Sequence, residues 1–337
     1  MQGNESKRKI GFPLIICGLS LLLVILFFIS LFVGRYSIPV KDVFGFVFGK
    51  SIPDISFRVI KFLRIPRTII AILVGIALSV SGSAYQSAFN NKLVSPDLLG
   101  VSSGASVGAC FAILLGLSSA LISLFSFVAG FIAVILTVFI SSLFKNKGNI
   151  VLLLSGIAIA GLMSSFVGLL KYMADNELKL AEMTYWLLGD ISSSTYENVY
   201  VFAPIVLVFS TLMIVLSWKL NIVSLGEKES RTLGVNYKLM MFLTIVSATA
   251  LTAGAVSVSG TIGWIGLVVP NIVRLIVGSD NRKVIPISIL TGASFMLIVD
   301  MLARSLAPNE IPLSIITGII GTPLFIVSLF MRRKEIK

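Results

Sequence analysis

Long apolar runs alternate with short charged segments along this chain. Eight stretches contain no Asp, Glu, Lys or Arg: 10–34, 68–91, 98–144, 148–170, 198–218, 239–273, 284–299 and 311–331. One helical crossing of a bilayer takes about 20 apolar residues, with a range of about 17–25. The 47-residue run 98–144 therefore holds two crossings, divided at Gly116-Leu117-Ser118-Ser119. The 35-residue run 239–273 reads as two short helices with a turn at Gly254–Gly260. Run 284–299 extends to Leu302 if Asp300 lies at the membrane edge. The pattern predicts an all-α membrane protein: one domain, residues 1–337, folded as a polytopic bundle of ten transmembrane helices. Residues 1–9 and 332–337 are its tails and 10–331 the bundle, which includes a loop at 219–238.

Composition agrees. Of the 337 residues, 56% are hydrophobic and 12% charged, and the mean hydropathy is +1.02. A soluble domain carries about 25% charged residues. Ten crossings put both termini on one side, and Lys and Arg in short loops set which side. The termini and the loops near Lys92, Lys145/Lys147, Lys219–Lys238 and Arg274–Lys283 hold 17 of the 27 basic residues. Both termini are thus expected to be cytoplasmic. The net charge of +12 belongs mainly to this rim and not to a nucleic-acid surface. Lys7-Arg8-Lys9 followed by an apolar run resembles a signal peptide, but that run has 25 residues and no small-x-small site follows. It is read as a retained first helix. Cys17 and Cys110 fall in apolar spans and are read as buried hydrophobes.

Small residues recur every four positions in three spans: Ala71, Gly75, Ser79, Ser83; Gly100, Gly104, Gly108; and Gly156, Ala160, Ser164, Gly168. Such stripes let helix backbones approach closely in lipid. With no His in the chain, and with Asp300 as the one carboxylate placed near a span, an ion-driven carrier lacks its titratable site. Asp300 and Arg304 are read as a local i,i+4 pair. No nucleophile–base pair or metal cluster can be assembled, so neither catalytic residues nor metal ligands are expected. Gly45-Phe46-Val47-Phe48-Gly49-Lys50-Ser51 misses the first glycine of a phosphate-binding loop, Phe44 standing in its place. Any use of ATP must belong to a partner.

Two polar segments stand out. Segment 35–67 is basic and amphipathic and reads as an interfacial helix ending in Arg64-Ile65-Pro66-Arg67. In the loop 219–238, Leu225-Gly226-Glu227-Lys228-Glu229-Ser230-Arg231-Thr232-Leu233-Gly234 reads as a short helix closed by glycine. Leu225 and Leu233 would face water beside Glu227 and Arg231, an arrangement suited to docking.

Eight stretches stand in chain order: Arg64-Ile65-Pro66-Arg67; Ser81-Gly82 to Gln86; Asn90-Asn91-Lys92-Leu93-Val94-Ser95-Pro96-Asp97-Leu98-Leu99-Gly100-Val101-Ser102-Ser103-Gly104-Ala105; Trp186-Leu187-Leu188-Gly189; Leu225 to Gly234; Gly263-Trp264 to Pro270; Asp300 to Arg304; and Glu310-Ile311-Pro312 to Gly321-Thr322-Pro323. Together they resemble the permease subunits of ABC importers for iron chelates, haem and cobalamin, the FecCD type. The resemblance implies ten helices, a second permease subunit (identical or paralogous), two cytoplasmic ABC ATPases that use ATP and Mg, and an external substrate-binding protein. No cofactor is implied on this chain itself, and the implied location is the cytoplasmic membrane of a bacterium or archaeon. It makes Leu225, Gly226, Glu227, Ser230, Arg231, Leu233 and Gly234 the helix that couples to the ATPase. It makes Arg64, Arg67 and Arg304 external contacts for acidic residues of the binding protein. Gly100, Gly104, Gly108, Pro270 and Asn271 are assigned to the pathway and its helix packing.

This chain departs from the family pattern at Lys92 (usually Pro), Ser230 (usually Ala) and Asn271 (usually His). Asn cannot take up a proton near neutral pH. The expected mechanism is alternating access, driven by the partner ATPase and most often serving a ferric siderophore. A corrinoid or haem cargo stays open. An ion-coupled carrier and a scaffold that only binds a partner are the readings from other classes.

Overall fold

The computed structural model describes residues 11–34, 36–144 and 149–333. Most of the tail basic residues, Arg35, and Lys145 and Lys147, on which part of the orientation argument rests, lie outside the described residues or their described side chains. Fourteen α-helices follow in order: α1 Phe12–Phe32, α2 Val40–Val47, α3 Asp54–Arg58, α4 Ile65–Ala88, α5 Val101–Leu114, α6 Ser119–Ser142 and α7 Asn149–Tyr172. Then come α8 Glu177–Leu188, α9 Tyr196–Val223, α10 Glu227–Thr232, α11 Tyr237–Ser259, α12 Ile265–Val277, α13 Asn281–Ala303 and α14 Leu313–Arg333. A π-turn at Val59–Arg64 joins α3 to α4, directly before Pro66, which has no N–H to continue a regular ladder.

Among the described residues, eight helical stretches are long and apolar enough to cross a membrane: α1, the continuous 54–88, α6, α7, α9, α11, α13 and α14. Helices α5 and α12 are apolar but have only 14 and 13 residues. At 1.5 Å per residue each is about 20 Å long, short of a hydrocarbon core of about 30 Å. Each is preceded by non-α backbone, Leu93–Gly100 with a 3-10 turn at Pro96–Leu99 before α5 and irregular Gly260–Trp264 before α12. Irregular backbone at such depth has to be buried in protein, and Val94, Pro96, Leu99 and Gly100 are buried.

The turn expected at Gly254–Gly260 is corrected. Helix α11 runs on to Ser259 and ends at Gly260, whose φ of +66° is the left-handed conformation that favours glycine. Gly254 faces the ring of Phe202 inside a helix–helix contact. Its small size serves packing there, not chain reversal.

Helix α4 is the axis of the fold and is buried except along one half-buried stripe, Ile65, Ile69, Ile72 and Ile76. It contacts α13, α11, α9 and α12. The first small-residue stripe makes these contacts possible. A Cβ on Gly75 would strike the carbonyl of Gly292 on α13, and one on Gly82 would strike the carbonyl of Gly266 on α12. Ser79 Oγ donates to the Ser288 carbonyl at 2.8 Å and Ser83 Oγ to Ser288 Oγ at 3.0 Å. Gly104 and Gly108 of the second stripe pack on Ala129, Ala133 and Phe125 of α6, and Gly100 (φ +81°) lies against Ile159 of α7. Of the third stripe, Gly156 is pressed on Leu98, whereas Gly168 has open space before it. The outer half of α7 therefore presents small residues to the surroundings.

Three distant segments meet in one backbone knot. Asp190 N donates to the Ser259 carbonyl at 2.9 Å and Leu313 N to the Gly189 carbonyl at 3.0 Å. Ser314 Oγ donates to the Leu188 carbonyl at 2.6 Å and Thr261 Oγ1 to the Leu187 carbonyl at 2.5 Å. Gly189 (φ +77°) and Gly260 touch backbone to backbone. Trp186-Leu187-Leu188-Gly189 thus serves to seat the starts of α12 and α14.

Candidate functional site

The short helix expected within 225–234 is present as α10, Glu227–Thr232. Gly226 leads into it with φ +113° and Gly234 leaves it with φ +75°. Glu227 and Arg231 pair across one turn at 2.6 Å, and both are solvent-facing. Leu225 and Leu233 are 59% and 55% exposed, so two apolar side chains flank a charged turn. Ser230 is the inward anchor. Its hydroxyl lies within 2.6 Å of the Gly226 carbonyl and 3.1 Å of the Ile222 carbonyl, tying α10 to the end of α9. Ser230→Ala is expected to lower thermal stability in detergent by about 1 kcal/mol, the scale of one net hydrogen bond, without unfolding α9. A cost above about 3 kcal/mol would mean that the anchor does more than this.

At the other end of the bundle lies a buried ion cluster. Arg64, Arg67 and Arg304, expected as external contacts for a binding protein, are 4%, 7% and 5% exposed and turn inward. Arg67 Nε donates to Asp300 Oδ1 at 2.7 Å, and its Nη2 lies 2.9 Å from Glu310 Oε2. Arg304 Nη2 lies 3.0 Å from Asp300 Oδ2, an ion pair off the hydrogen-bond axis. Arg64 donates to the backbone carbonyls of Leu31 and Tyr36. The physical reason for the burial of Arg67 and Arg304 is Asp300, 0% exposed. A fully buried carboxylate demands cationic partners, and it draws in Arg67 from 233 residues away as well as its helical neighbour. The cluster joins the start of α4, the end of α13 and the segment before α14.

A residue not singled out from the sequence also enters the interior. Asp97, in the irregular segment before α5, accepts from Ser102 Oγ. It lines a cavity of about 330 Å³ together with Ser103, Ser106, Ser164 and Thr261. Charge-free runs could not reveal it, because Asp97 is what ends one run. The signal was its place within Ser95-Pro96-Asp97-Leu98-Leu99-Gly100.

Lys92 and Asn271, two departures from the family pattern, are brought together. Asn271 is 1% exposed, and its Nδ2 donates to the Lys92 carbonyl at 3.0 Å and the Leu267 carbonyl at 2.7 Å. The second bond keeps the side chain against its own helix, one turn back, where α12 continues past Pro270. Nearby, Arg282 beside Asp280 holds its carboxyl down to about 2. Asp280 therefore stays anionic while it caps α13 through Arg282 N at 3.1 Å. Among the described residues no group of three or more His, Cys, Asp and Glu could hold a metal ion.

Among the described residues, eight membrane-length helices with a short solvent-facing helix between two of them define a multi-span membrane protein. Residues 22–332 match the FecCD transport family. The chain belongs to this family of ABC importer permeases. It is 38% identical to the molybdate import system permease protein MolB of Haemophilus influenzae, over 96% of this chain and 97% of that one. It is 34% identical to the hemin transport system permease protein HmuU of Yersinia pestis, over 99% of each. Identity to the Fe(3+) dicitrate transport system permease protein FecC of Escherichia coli is 31%, over 93% and 96%. A solved ABC transporter of metal-chelate type, in an inward-facing conformation, superposes with a TM-score of 0.86 at 38% identity, over 95% of this chain and 99% of that one. Its relatives are non-catalytic membrane components, and the cargo they are named for differs from one to the next.

Proposed function

We propose that this chain is the membrane subunit of an ATP-driven importer that takes a ferric siderophore into the cytoplasm by alternating access. The exposed Leu225 and Leu233 around the Glu227–Arg231 turn carry this reading. A short helix bounded by two glycines, with outward apolar side chains, suits insertion into a groove of a partner ATPase, which would supply ATP hydrolysis with Mg. Ser230, anchored on Ile222, would pass the displacement of α10 to α9. A second permease copy, identical or paralogous, would lie against the uncovered small residues of α7. Both termini would face the cytoplasm, with the ten apolar helices as ten crossings and α5 and α12 completed by their irregular leads. An external binding protein would deliver cargo to the end bearing Arg64, Arg67 and Arg304. Docking there would act on arginines whose charge Asp300 and Glu310 already offset in large part, so orientation by rim charge would matter more than added affinity.

A molybdate cargo is the second reading, favoured by the 38% identity to MolB along almost the whole chain. Proteoliposomes holding the chain, its ATPase and its binding protein test both. Ferric siderophore is expected to accumulate only with ATP inside. Leu225→Asp/Leu233→Asp is expected to reduce uptake more than about tenfold, equivalent to about 1.4 kcal/mol of coupling, while the permease stays folded. Accumulation without the ATPase would overturn the importer reading, and uptake of molybdate alone would overturn only the cargo.

A further inference from the structure

Between α1 and α4 the chain lies at the level where the hydrocarbon ends. Helix α1 has 21 residues, about 31 Å, the thickness of a bilayer core. Arg64 donates to the Leu31 carbonyl, so the last turn of α1 and the start of α4 share one level. Tyr196, at the start of membrane-length α9, donates its hydroxyl to the Lys61 carbonyl at 2.7 Å and sets that helix end at the same level. Helices α2 and α3 form one unit on this rim. Ser56 Oγ donates to the buried Asp42 at 2.8 Å, and Val43 and Ile60 close an apolar cluster with Leu31 and Ile38.

The other face of this unit is exposed. Val40, Phe44, Val47 and Phe48 share one side of α2 and are 60%, 53%, 47% and 71% exposed. Their rings run on from α1: the Phe44 ring lies 6.3 Å from that of Phe32 and 6.4 Å from that of Phe48. The face thus continues the exposed apolar side of α1, formed by Val24, Ile25, Phe28 and Ile29. Beside it stand four exposed cations, Lys41, Lys50, Arg58 and Lys61. Among the described residues none of the four forms an ion pair. Lys61 Nζ instead lies over the rings of Phe57 and Phe62, at 5.2 and 5.4 Å. Asp54 is the one exposed carboxylate described in this segment.

An apolar face with cations beside it suits the boundary between acyl chains and anionic headgroups. Continuity with the lipid-facing side of α1 selects lipid over a protein partner as the occupant. We propose that α2, α3 and the Val59–Arg64 turn form a binding surface for anionic phospholipid. Val40, Phe44, Val47 and Phe48 enter the acyl boundary, and Lys41, Lys50, Arg58 and Lys61 meet headgroup phosphates. Lipid held there would press the segment on α1 and so steady Arg64, whose carbonyl acceptors on Leu31 and Tyr36 belong to the same rim. The proposal depends neither on the cargo nor on which leaflet this end of the bundle faces.

The test uses the full chain with a fluorophore at Ser51→Cys, beside Lys50, in a Cys17→Ser background; the remaining Cys110 is buried. The protein is placed in phosphatidylcholine nanodiscs holding a small, equal fraction of nitroxide-labelled phosphatidylglycerol or nitroxide-labelled phosphatidylcholine. Quenching is expected to show at least about fivefold local enrichment of the phosphatidylglycerol, the attraction of one basic residue near an anionic surface. The enrichment is expected to fall with added salt. Lys41→Gln/Lys50→Gln/Arg58→Gln/Lys61→Gln is expected to bring the two lipids to equal quenching. Lys219→Gln/Lys238→Gln/Lys283→Gln, near α10, is expected to leave the enrichment unchanged. Equal quenching by the two lipids with all four cations present, or an enrichment that salt does not lower, would overturn recognition of the anionic lipid. Absence of quenching by either lipid would place water or protein on this face and overturn the surface altogether. The salt titration needs no charge substitution, so the test stands even if the fourfold variant fails to fold.

Discussion

Asp300→Ala is expected to destabilise the bundle by about 3–5 kcal/mol, the cost of stripping a buried charge of its partner. With Asp300 in place, two carboxylates face the guanidinium groups of Arg67 and Arg304, and Arg64 rests on the carbonyls of Leu31 and Tyr36 beside them. Without it, Glu310 alone would balance Arg67 and Arg304. Arg67 would lose its 2.7 Å partner and Arg304 its ion pair, both in a region less than a tenth exposed. Thermal unfolding of purified protein in detergent, together with the folded yield, measures the loss. A change below about 1 kcal/mol would mean that the cluster is not held by this carboxylate. Replacing Asp300, Arg67 and Arg304 together by apolar residues of similar volume is expected to recover much of the stability, because no uncompensated charge remains. The same reasoning bears on docking. Reversing the charge of Arg67 would pull the start of α4 from α13, so lost uptake in that variant would report a broken bundle as readily as a lost contact.

Gly82→Ala is expected to be of similar severity although it adds one methyl group. That Cβ would fall on the carbonyl of Gly266, with the Gly266 Cα at 2.8 Å. The obstacle is backbone on both sides, so no rotamer change relieves it, and α4 and α12 must separate. Overpacking a core costs about 1–3 kcal/mol, occasionally more, and a backbone clash belongs at the top of that range. Gly161→Ala on α7 is the control. Nothing lies within 4 Å of its Cβ position, and an Ala gains about 1 kcal/mol of helix propensity over Gly. Equal unfolding temperatures for the two variants would refute the account of α4 as the tightly packed axis.

The two glycines look alike in a list of small residues, which shows where local pattern stops. Each small-residue stripe satisfies the same spacing rule, yet the first is covered along its length while the third is covered only at Gly156. Spacing states that close approach is possible, and only the partner helix decides whether it occurs. The same holds for the break between α11 and α12. Gly254 and Gly260 are both glycines in one apolar run, but the turn is at Gly260, where the backbone meets Trp186 and Gly189 from another part of the chain.

What the sequence by itself determined is local in origin. Among the described residues, eight helices of membrane length lie in or across the apolar runs that predict crossings, because the hydrocarbon length requirement acts on each segment separately; α5 and α12 fall short of it. The 225–234 helix, with its glycine ends and outward leucines, was legible for the same reason: capping and patterning within ten residues set it. The tertiary structure decided what depends on partners far along the chain. It buried Arg67 against Asp300, brought Asn271 to the Lys92 carbonyl and placed Asp97 inside the bundle. A charged residue in a loop looks the same in sequence whether it faces water or a buried counter-charge. The difference is the cost of an unpaired charge in a low-dielectric interior, and that cost exists only once α4, α13 and the segment before α14 have come together.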